Sequence, residues 1–320
     1  MMVVHLGGER FMPKDIDIRK QLNEKDGWQV WWRLMRPHTL TASFIPVFIG
    51  TMLANIDGSF DWLLFITMLL ASMLIQAATN MFNEYYDYKR GLDTEESVGI
   101  GGTIVRDGVK PETVLHLAFA FFGIAMLLGI YICIESSWWV AVIGLIGMLF
   151  GYFYTGGPIP IAYTPFGELT SGLLMGTVII AISYYIQTLE ITWAVILISL
   201  PVAFFIGAIM LSNNIRDHDG DKRSGRKTIA ILLGQERAIY FLATMFLTAY
   251  LLTALYIVSG ILPPHSLIVF LSGFLAYKVI QEFKGKTLPI EMMPAMVKTA
   301  QTNTAYGFLL GISLFISTLF

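Results

Sequence analysis

The chain has a single cysteine, Cys133, in 320 residues. That excludes an internal disulfide and any Cys-x-x-Cys metal or redox site. Charge is scarce as well: 14% of residues are Asp, Glu, Lys or Arg, against roughly 25% in an average soluble domain. The net charge of −2 is too small to attract a polyanion, so a nucleic acid is not an expected partner. The five histidines show no ligand spacing. Apolar residues are abundant instead, at 55% of the chain with a mean hydropathy of +0.65. A soluble enzyme and a disordered tail are excluded. The chain reads as an integral membrane protein with the lipid bilayer as its solvent, and the useful question is what its few polar residues do.

A membrane helix needs ~20 mostly apolar residues. Nine candidates appear, at about Thr39–Ile56, Trp62–Phe82, Glu112–Ile134, Trp138–Tyr154, Phe166–Thr188, Ile191–Ser212, Arg237–Gly260, Ser266–Phe283 and Lys298–Phe320. These runs are continuous and rich in Leu, Ile and Met, unlike the ~10-residue alternating strands of a membrane barrel. The expected fold is all-α, with nine transmembrane helices. Residues 1–38 form an N-terminal segment without the apolar core of a signal peptide, and residues 39–320 a single transmembrane domain. Trp28, Trp31 and Trp32 beside Arg33 and Arg36 predict a helix lying along the headgroups.

The distribution of basic residues sets the orientation. Seven Lys/Arg precede the first span, four lie between spans two and three, six between spans six and seven, and four around the end of span eight, together all 21. With the N-terminus in the cytosol, every one of them is on the inner side. The outer connections then carry only the acids Asp57, Asp61, Glu135 and Glu190. The expectation is a multi-pass protein of the cell membrane, N-terminus cytoplasmic and C-terminus outside.

Two inner connections carry most of the polar chemistry. After the second span, Asn80, Asn83, Glu84 and Asp87 fall at i, i+3, i+4 and i+7, on one face if the helix continues. After the sixth, Asn213, Asp217 and Asp221 recur at a spacing of four. Asn-x-x-x-Asp thus occurs twice, at Asn83/Asp87 and Asn213/Asp217, four spans apart. That is a weak internal duplication, which predicts two acidic faces meeting across a central cavity. Facing carboxylates near lipid repel one another and are costly to desolvate. A hard divalent cation relieves both, and Mg²⁺ prefers one or two carboxylates plus phosphate oxygens. The two clusters suggest a diphosphate clamped through Mg²⁺, with Asn83, Glu84, Asp87, Asp217 and Asp221 as the expected ligands and Asn80 and Asn213 beside them; the plainer reading is a solvated cytosolic loop. Lys222, Arg223, Arg226 and Lys227, with Lys89, Arg90 and Arg106 from the first half, are placed to neutralise departing phosphates.

Other features say less. Gly99-Ile100-Gly101-Gly102-Thr103 lacks the Lys-Ser/Thr ending of a P-loop and reads equally as a backbone cradle for phosphate or as a plain linker. Tyr154-Thr155-Gly156-Gly157-Pro158 breaks the fourth helix, with Tyr154 available to face a cation. Glu168 suits the dipole at a helix start. Cys133 reads as inert packing.

At these residues the sequence resembles the UbiA superfamily of intramembrane aromatic prenyltransferases, over about residues 30–320. The resemblance rests on Arg36-Pro37-His38-Thr39-Leu40, Asn83-Glu84-Tyr85-Tyr86-Asp87 with Gly91 and Asp93, and Gly101-Gly102-Thr103-Ile104-Val105-Arg106. Further support comes from Tyr154-Thr155-Gly156-Gly157-Pro158, Gly167-Glu168, Asn213-Asn214-Ile215-Arg216-Asp217 and Gly225-Arg226-Lys227-Thr228. It implies nine helices around a central cavity open to the cytosol, and Asp motifs that bind Mg²⁺ and a polyprenyl diphosphate. The wording is similar to the branch that prenylates 1,4-dihydroxy-2-naphthoate in menaquinone synthesis, with loss of CO₂ and pyrophosphate. On that reading Asp87, Asp217, Asp221 and Tyr154 are catalytic, while Asn80, Arg106, Asn213, Lys222, Arg226 and Lys227 bind substrate. Glu84 and Glu168 depart from the pattern, standing where Asp is usual; both keep the charge and add one methylene of reach.

Two alternatives stay open. The same fold could act on 4-hydroxybenzoate, homogentisate or haem. A transporter is the rival from another class, because intramembrane carboxylates mark ion paths. Transport sites tend to lie near the midplane, whereas here the centres of the expected spans hold no Asp, Glu, Lys or Arg and the acids gather at one face.

Overall fold

A computed structural model describes residues 27–93 and 102–319, and within these all regular structure is helical. Residues 1–26 of the expected N-terminal segment and Gly99-Ile100-Gly101 of the glycine loop lie outside the described residues. The first helix, α1 (Trp28–Met35), exposes Trp28, Trp31 and Trp32 and buries Leu34 completely. Arg36 then takes a left-handed conformation, φ 52°. A residue before proline is sterically driven out of the right-handed helix, so Pro37 ends one helix and, at its first position, starts α2 (Pro37–Ile56).

Helix α3 (Trp62–Lys89) begins where the Asp61 side chain accepts from the Leu64 N–H at 2.8 Å. Its 28 residues extend two turns beyond the apolar stretch, about 42 Å in all. The Asn80–Asp87 pattern is therefore helical, as its spacing predicted. The chain continues through α4 (Pro111–Glu135), α5 (Trp139–Thr155), α6 (Gly167–Thr188), α7 (Trp193–Arg216), the short α8 (His218–Arg223) and α9 (Ile229–Leu233), α10 (Gln235–Val258), α11 (Pro264–Phe283) and α12 (Pro289–Ile316).

Seven described helices are long and apolar enough to cross a membrane: α2 from Thr39, α3, α4, α6, α7, α10 and α11. Two expected spans differ. Helix α5 is apolar but only 17 residues long. Helix α12 starts at Pro289, nine residues before the expected Lys298, and its first half carries Glu291, Lys298 and Gln301, which dilutes its apolar character. The multi-pass membrane character stands on the seven.

Helices α3, α4 and α5 pack together on one side, α7, α10, α11 and α12 on the other, and α2 and α6 touch both groups. The largest buried cluster spans the second group together with α2 and α6, and Phe205, Tyr306 and Phe283 are among its largest fully buried side chains. Helix α6 reaches α7 through a π-helical stretch, Gly172–Val178. A methyl group at Gly172 would meet the Ala203 carbonyl oxygen at 2.6 Å, and one at Gly176 the Ala203 Cα at 2.6 Å. Only glycine permits that approach, and π-bulges commonly mark functional regions.

Candidate active site

A cavity of about 550 Å³ lies among α2 to α7, with no wall from α10, α11 or α12. Its charged end combines the two sequence patterns: Asn80, Asn83 and Asp87 from α3 face Asn213 and Asp217 from α7, and Arg36, Asp93 and Arg226 complete the rim. The rest of the wall is apolar and descends past Ile75, Met148 and Gly147 to Cys133, Trp138 and Val140 at the opposite ends of α4 and α5. Cys133 is buried among these packing residues.

The two acidic patterns are joined by one side chain. Arg226 donates from Nη2 to Asp87 Oδ1 at 2.7 Å and from Nη1 to Asp221 Oδ1 at 3.0 Å. The Tyr163 ring lies between two guanidinium groups, 5.2 Å from that of Arg226 and 5.5 Å from that of Arg90, a favourable cation–π arrangement. Arg90 also donates to the carbonyls of Thr155 and Gly157. The Thr155 hydroxyl donates to Asn83 Oδ1 at 2.7 Å. The glycine break after α5 is thus fastened to α3 from both directions.

Asp217 is gripped by its neighbour: Arg216, buried in the bundle, donates from Nε to Oδ1 at 2.6 Å and from Nη2 to Oδ2, while Nη1 points to the Met296 sulfur at 2.9 Å. Asp221 is 7% exposed, and its Oδ2 has no partner. Burial, with repulsion from Asp217 and Asp87, outweighs Arg226 and pushes its carboxyl up to about 7. Asp93 is pushed up to about 7 by burial and then by Asp87. Burial alone would lower the Arg226 guanidinium, but Asp87 and Asp221 raise it. Burial, the leading cause in both aspartates, thus favours the uncharged form of these two carboxyls.

Other expected residues sit differently. Glu84 is 1% exposed and turned away from the cavity, its Oε1 accepting from the Ile104 N–H at 3.0 Å. Glu168 is buried behind the wall with Oε1 held by Asn214 at 2.9 Å. Tyr154 is on the wall, its hydroxyl donating to the Met210 sulfur at 2.9 Å. Arg106 lies over Gly102 at the described end of the glycine loop. Lys222 and Lys227 are exposed beyond the cavity wall. Among the described residues, no three His, Cys, Asp or Glu side chains are grouped closely enough to hold a metal unaided.

Arg36, Asp93, Asn214, Arg216 and Tyr163 also belong to this end, and the expected site omitted them. Arg36 carried a signal in its Arg-Pro-His-Thr context; Tyr163 carried none, because it arrives on a short 3₁₀ turn, Ile161–Tyr163.

The fold and site define an all-helical, multi-pass membrane protein with a charged cleft above an apolar cavity, and the chain belongs to the UbiA prenyltransferase family, which residues 43–288 match. It is 56% identical over 289 residues to 1,4-dihydroxy-2-naphthoate octaprenyltransferase of Bacillus subtilis (strain 168), covering 90% of this chain and 93% of that one. The enzyme of the same name from Haemophilus influenzae is 27% identical over 308 residues, covering 93% and 99%. In fold the chain is similar to a UbiA homologue from Archaeoglobus fulgidus bound to GPP and Mg²⁺, with TM-score 0.64 at 18% identity, covering 88% of this chain and 99% of that one.

Proposed function

We propose that this chain transfers a polyprenyl group from polyprenyl diphosphate to 1,4-dihydroxy-2-naphthoate, releasing pyrophosphate and CO₂ and giving demethylmenaquinone in its quinol form. The observation that carries the acceptor is the 56% identity to an enzyme named for that substrate, over nine-tenths of both chains. The cavity supports the reaction type, since a charged end continuous with an apolar wall suits a diphosphate bearing a long hydrocarbon tail.

Mg²⁺ fits the donor set. Every candidate ligand is a hard oxygen donor, and the buried, unpartnered Oδ2 of Asp221 is a group that a cation would satisfy. Asp87, Asp217, Asp221 and the Asn83 amide would hold it. Glu84, whose Oε2 is also unpartnered, is left out because its carboxylate is anchored through Oε1 to the Ile104 N–H and does not line the cavity. When bound, the ion supplies Lewis-acid stabilisation of the diphosphate oxygens. The scarcity of grouped carboxylates agrees with an ion that takes part of its shell from phosphate and water.

The protein's own groups do the rest. Asn213 orients the diphosphate, and Arg226 with Arg36 on the rim stabilises the charge that gathers on it as the allylic C–O bond breaks. Asn80, its Nδ2 spent on Thr39 and Met35, holds α2 against α3, and Lys222, Lys227 and Arg106 stand outside the cavity wall. The Tyr154 ring faces the electron-poor allylic carbon, and the apolar wall keeps water from capturing it. The ring carbon that bears the carboxylate attacks. Its bond to the carboxylate then breaks, CO₂ leaves, and that electron pair restores the aromatic ring.

Nine membrane crossings follow if α5 and α12 also span, with the N-terminus in the cytosol, the charged end open to it, and residues 39–320 forming one domain in the cell membrane. A transporter reading is less well supported, because the charged groups lie at one end of the cavity. The test uses protein purified in detergent, labelled polyprenyl diphosphate and a panel of aromatic acceptors. Labelled product and pyrophosphate should appear with dihydroxynaphthoate and Mg²⁺, and disappear with EDTA. Product from 4-hydroxybenzoate alone overturns the acceptor.

A further inference from the structure

We infer that Ser43 of α2 and Gln76 of α3 form the subsite for a ring hydroxyl of the aromatic acceptor. The inference rests on the proposed reaction and goes further by assigning where the acceptor is read.

The register of the two helices sets the position. Asn80 Nδ2 donates to Thr39 Oγ1 at 3.0 Å and to the Met35 carbonyl at 3.1 Å, locking α2 and α3 face to face at the charged end. Ser43 follows Thr39 by four residues and Gln76 precedes Asn80 by four. The helices are antiparallel here, so both residues lie on the same faces one turn deeper, about 6 Å along the axis. All four residues line the cavity.

At that depth an unmet polar group is costly, because no water replaces the lost partner. Serines in membrane helices normally solve this by donating back to their own helix. Ser72 does so to the Leu69 carbonyl at 3.0 Å, Ser199 to Ile196 at 2.7 Å and Ser212 to Ile209 at 2.8 Å. Ser43 is 1% exposed, yet its Oγ has no partner. The hydroxyls of Ser183, Thr51 and Thr177 also lack partners but do not line the cavity, whereas Ser43 does. The one hydrogen bond of the Gln76 side chain is a 3.5 Å donation from Nε2 to Asn80 Oδ1, at the outer limit of a real bond. Its carbonyl oxygen has no protein donor among the described residues, and the residue lines the cavity. A hydroxyl that can rotate and a free amide carbonyl together make a donor–acceptor pair.

The chemistry of the layer selects the ligand. Ala42, Ala71 and Ile75 flank it, and among the described residues neither α2 nor α3 carries a charged side chain at that level. A phosphate or carboxylate would be stranded there, whereas a neutral hydroxyl on a flat ring satisfies both groups. Gln76 Oε1 accepts from the ring O–H, which raises electron density on the ring. The Ser43 hydroxyl donates to the same ring oxygen. No proton is transferred in this contact. The reacting carbon is thereby held between the hydroxyl layer and the diphosphate end above it.

The test is a cycle of protein variants against acceptor analogues. Ser43→Ala and Gln76→Met are compared with the wild type for binding 1,4-dihydroxy-2-naphthoate, 1-hydroxy-2-naphthoate and 4-hydroxy-2-naphthoate, alongside KM for the prenyl diphosphate. The wild type should disfavour one mono-hydroxyl analogue by about tenfold, the worth of one good hydrogen bond. Each variant should lose most of that discrimination while the prenyl diphosphate KM stays within about twofold. Discrimination that is absent in the wild type or intact in both variants overturns the subsite, as does an equal loss of prenyl diphosphate affinity. A folding defect would weaken all three ligands alike and leave their ratio unchanged, so it counts against the subsite. A wild type inactive with dihydroxynaphthoate but active on another phenolic acid overturns the proposed acceptor instead.

Discussion

Arg226 and Asp87 stand 139 positions apart in sequence and 2.7 Å apart in space. Their ion pair, extended to Asp221, joins the α3 and α7 acidic patterns into one site. Removing one partner of a buried ion network leaves uncompensated charge. Arg226→Gln should therefore destabilise the metal-free protein by roughly 3 kcal/mol, seen as a lower thermal midpoint in detergent. Added Mg²⁺ should recover part of the loss, because it restores positive charge between Asp87 and Asp221. A midpoint unchanged by the substitution would show that the pair carries no net stability.

Asp87 and Glu84 are three residues apart on one helix but face different surroundings, so they should respond differently. Asp87→Asn and Asp217→Asn should each abolish pyrophosphate release while the protein stays folded. Glu84→Ala should instead leave the Mg²⁺ dependence within about twofold and cost about 1–3 kcal/mol of stability, the penalty for leaving the buried Ile104 N–H unpaired. Measuring Mg²⁺ half-saturation and thermal midpoint on all three separates a ligand from a loop anchor.

Stability without divalent cations should fall as pH rises. Asp93 and Asp221 titrate near 7 in the folded protein, above the ordinary carboxylate value near 3.9. The folded state therefore holds these protons more tightly than the unfolded one. The associated stability is fully present below about pH 4 and is lost as pH climbs through about 7. Thermal midpoints in EDTA should decline between pH 5 and 8. Asp221→Asn should flatten that decline, and saturating Mg²⁺ should do the same.

Donor length should be read along α5. Gly144 and Gly147 line the apolar wall, and an added Cβ at either meets nothing within 4 Å. Gly144→Phe should fill that space without disturbing the helix. Turnover with geranyl diphosphate should stay within about twofold, while an octaprenyl donor should lose about tenfold or more, because each displaced methylene forfeits ~0.8 kcal/mol of burial. Equal losses for both donors would place the tail elsewhere.

Much of this architecture was legible in local pattern. Long apolar runs predicted the helices, and a spacing of three and four placed Asn80, Asn83 and Asp87 on one face before any coordinates. The limits of that reading were also local in origin. Apolar content alone extended the last span to Phe320 and missed that Pro289 starts α12 earlier, because proline favours the first turn of a helix. Glu84 shares the periodicity of Asp87, yet it points to a backbone N–H that lies twenty residues further on.

By itself, the sequence determined that this chain is a helical membrane protein with its charge gathered at the helix ends, because hydropathy and helical periodicity act over short stretches. The tertiary structure alone decided which charges meet. It showed that Arg226 bridges the two acidic patterns, that Tyr163 packs between two arginines, and that the cavity is walled by α2 through α7 with Arg36, Asp93 and Arg226 at its rim. It also showed that Ser43 lacks the backbone partner that Ser72, Ser199 and Ser212 have. These are contacts between distant segments, set by how the helices pack, and no local pattern encodes them.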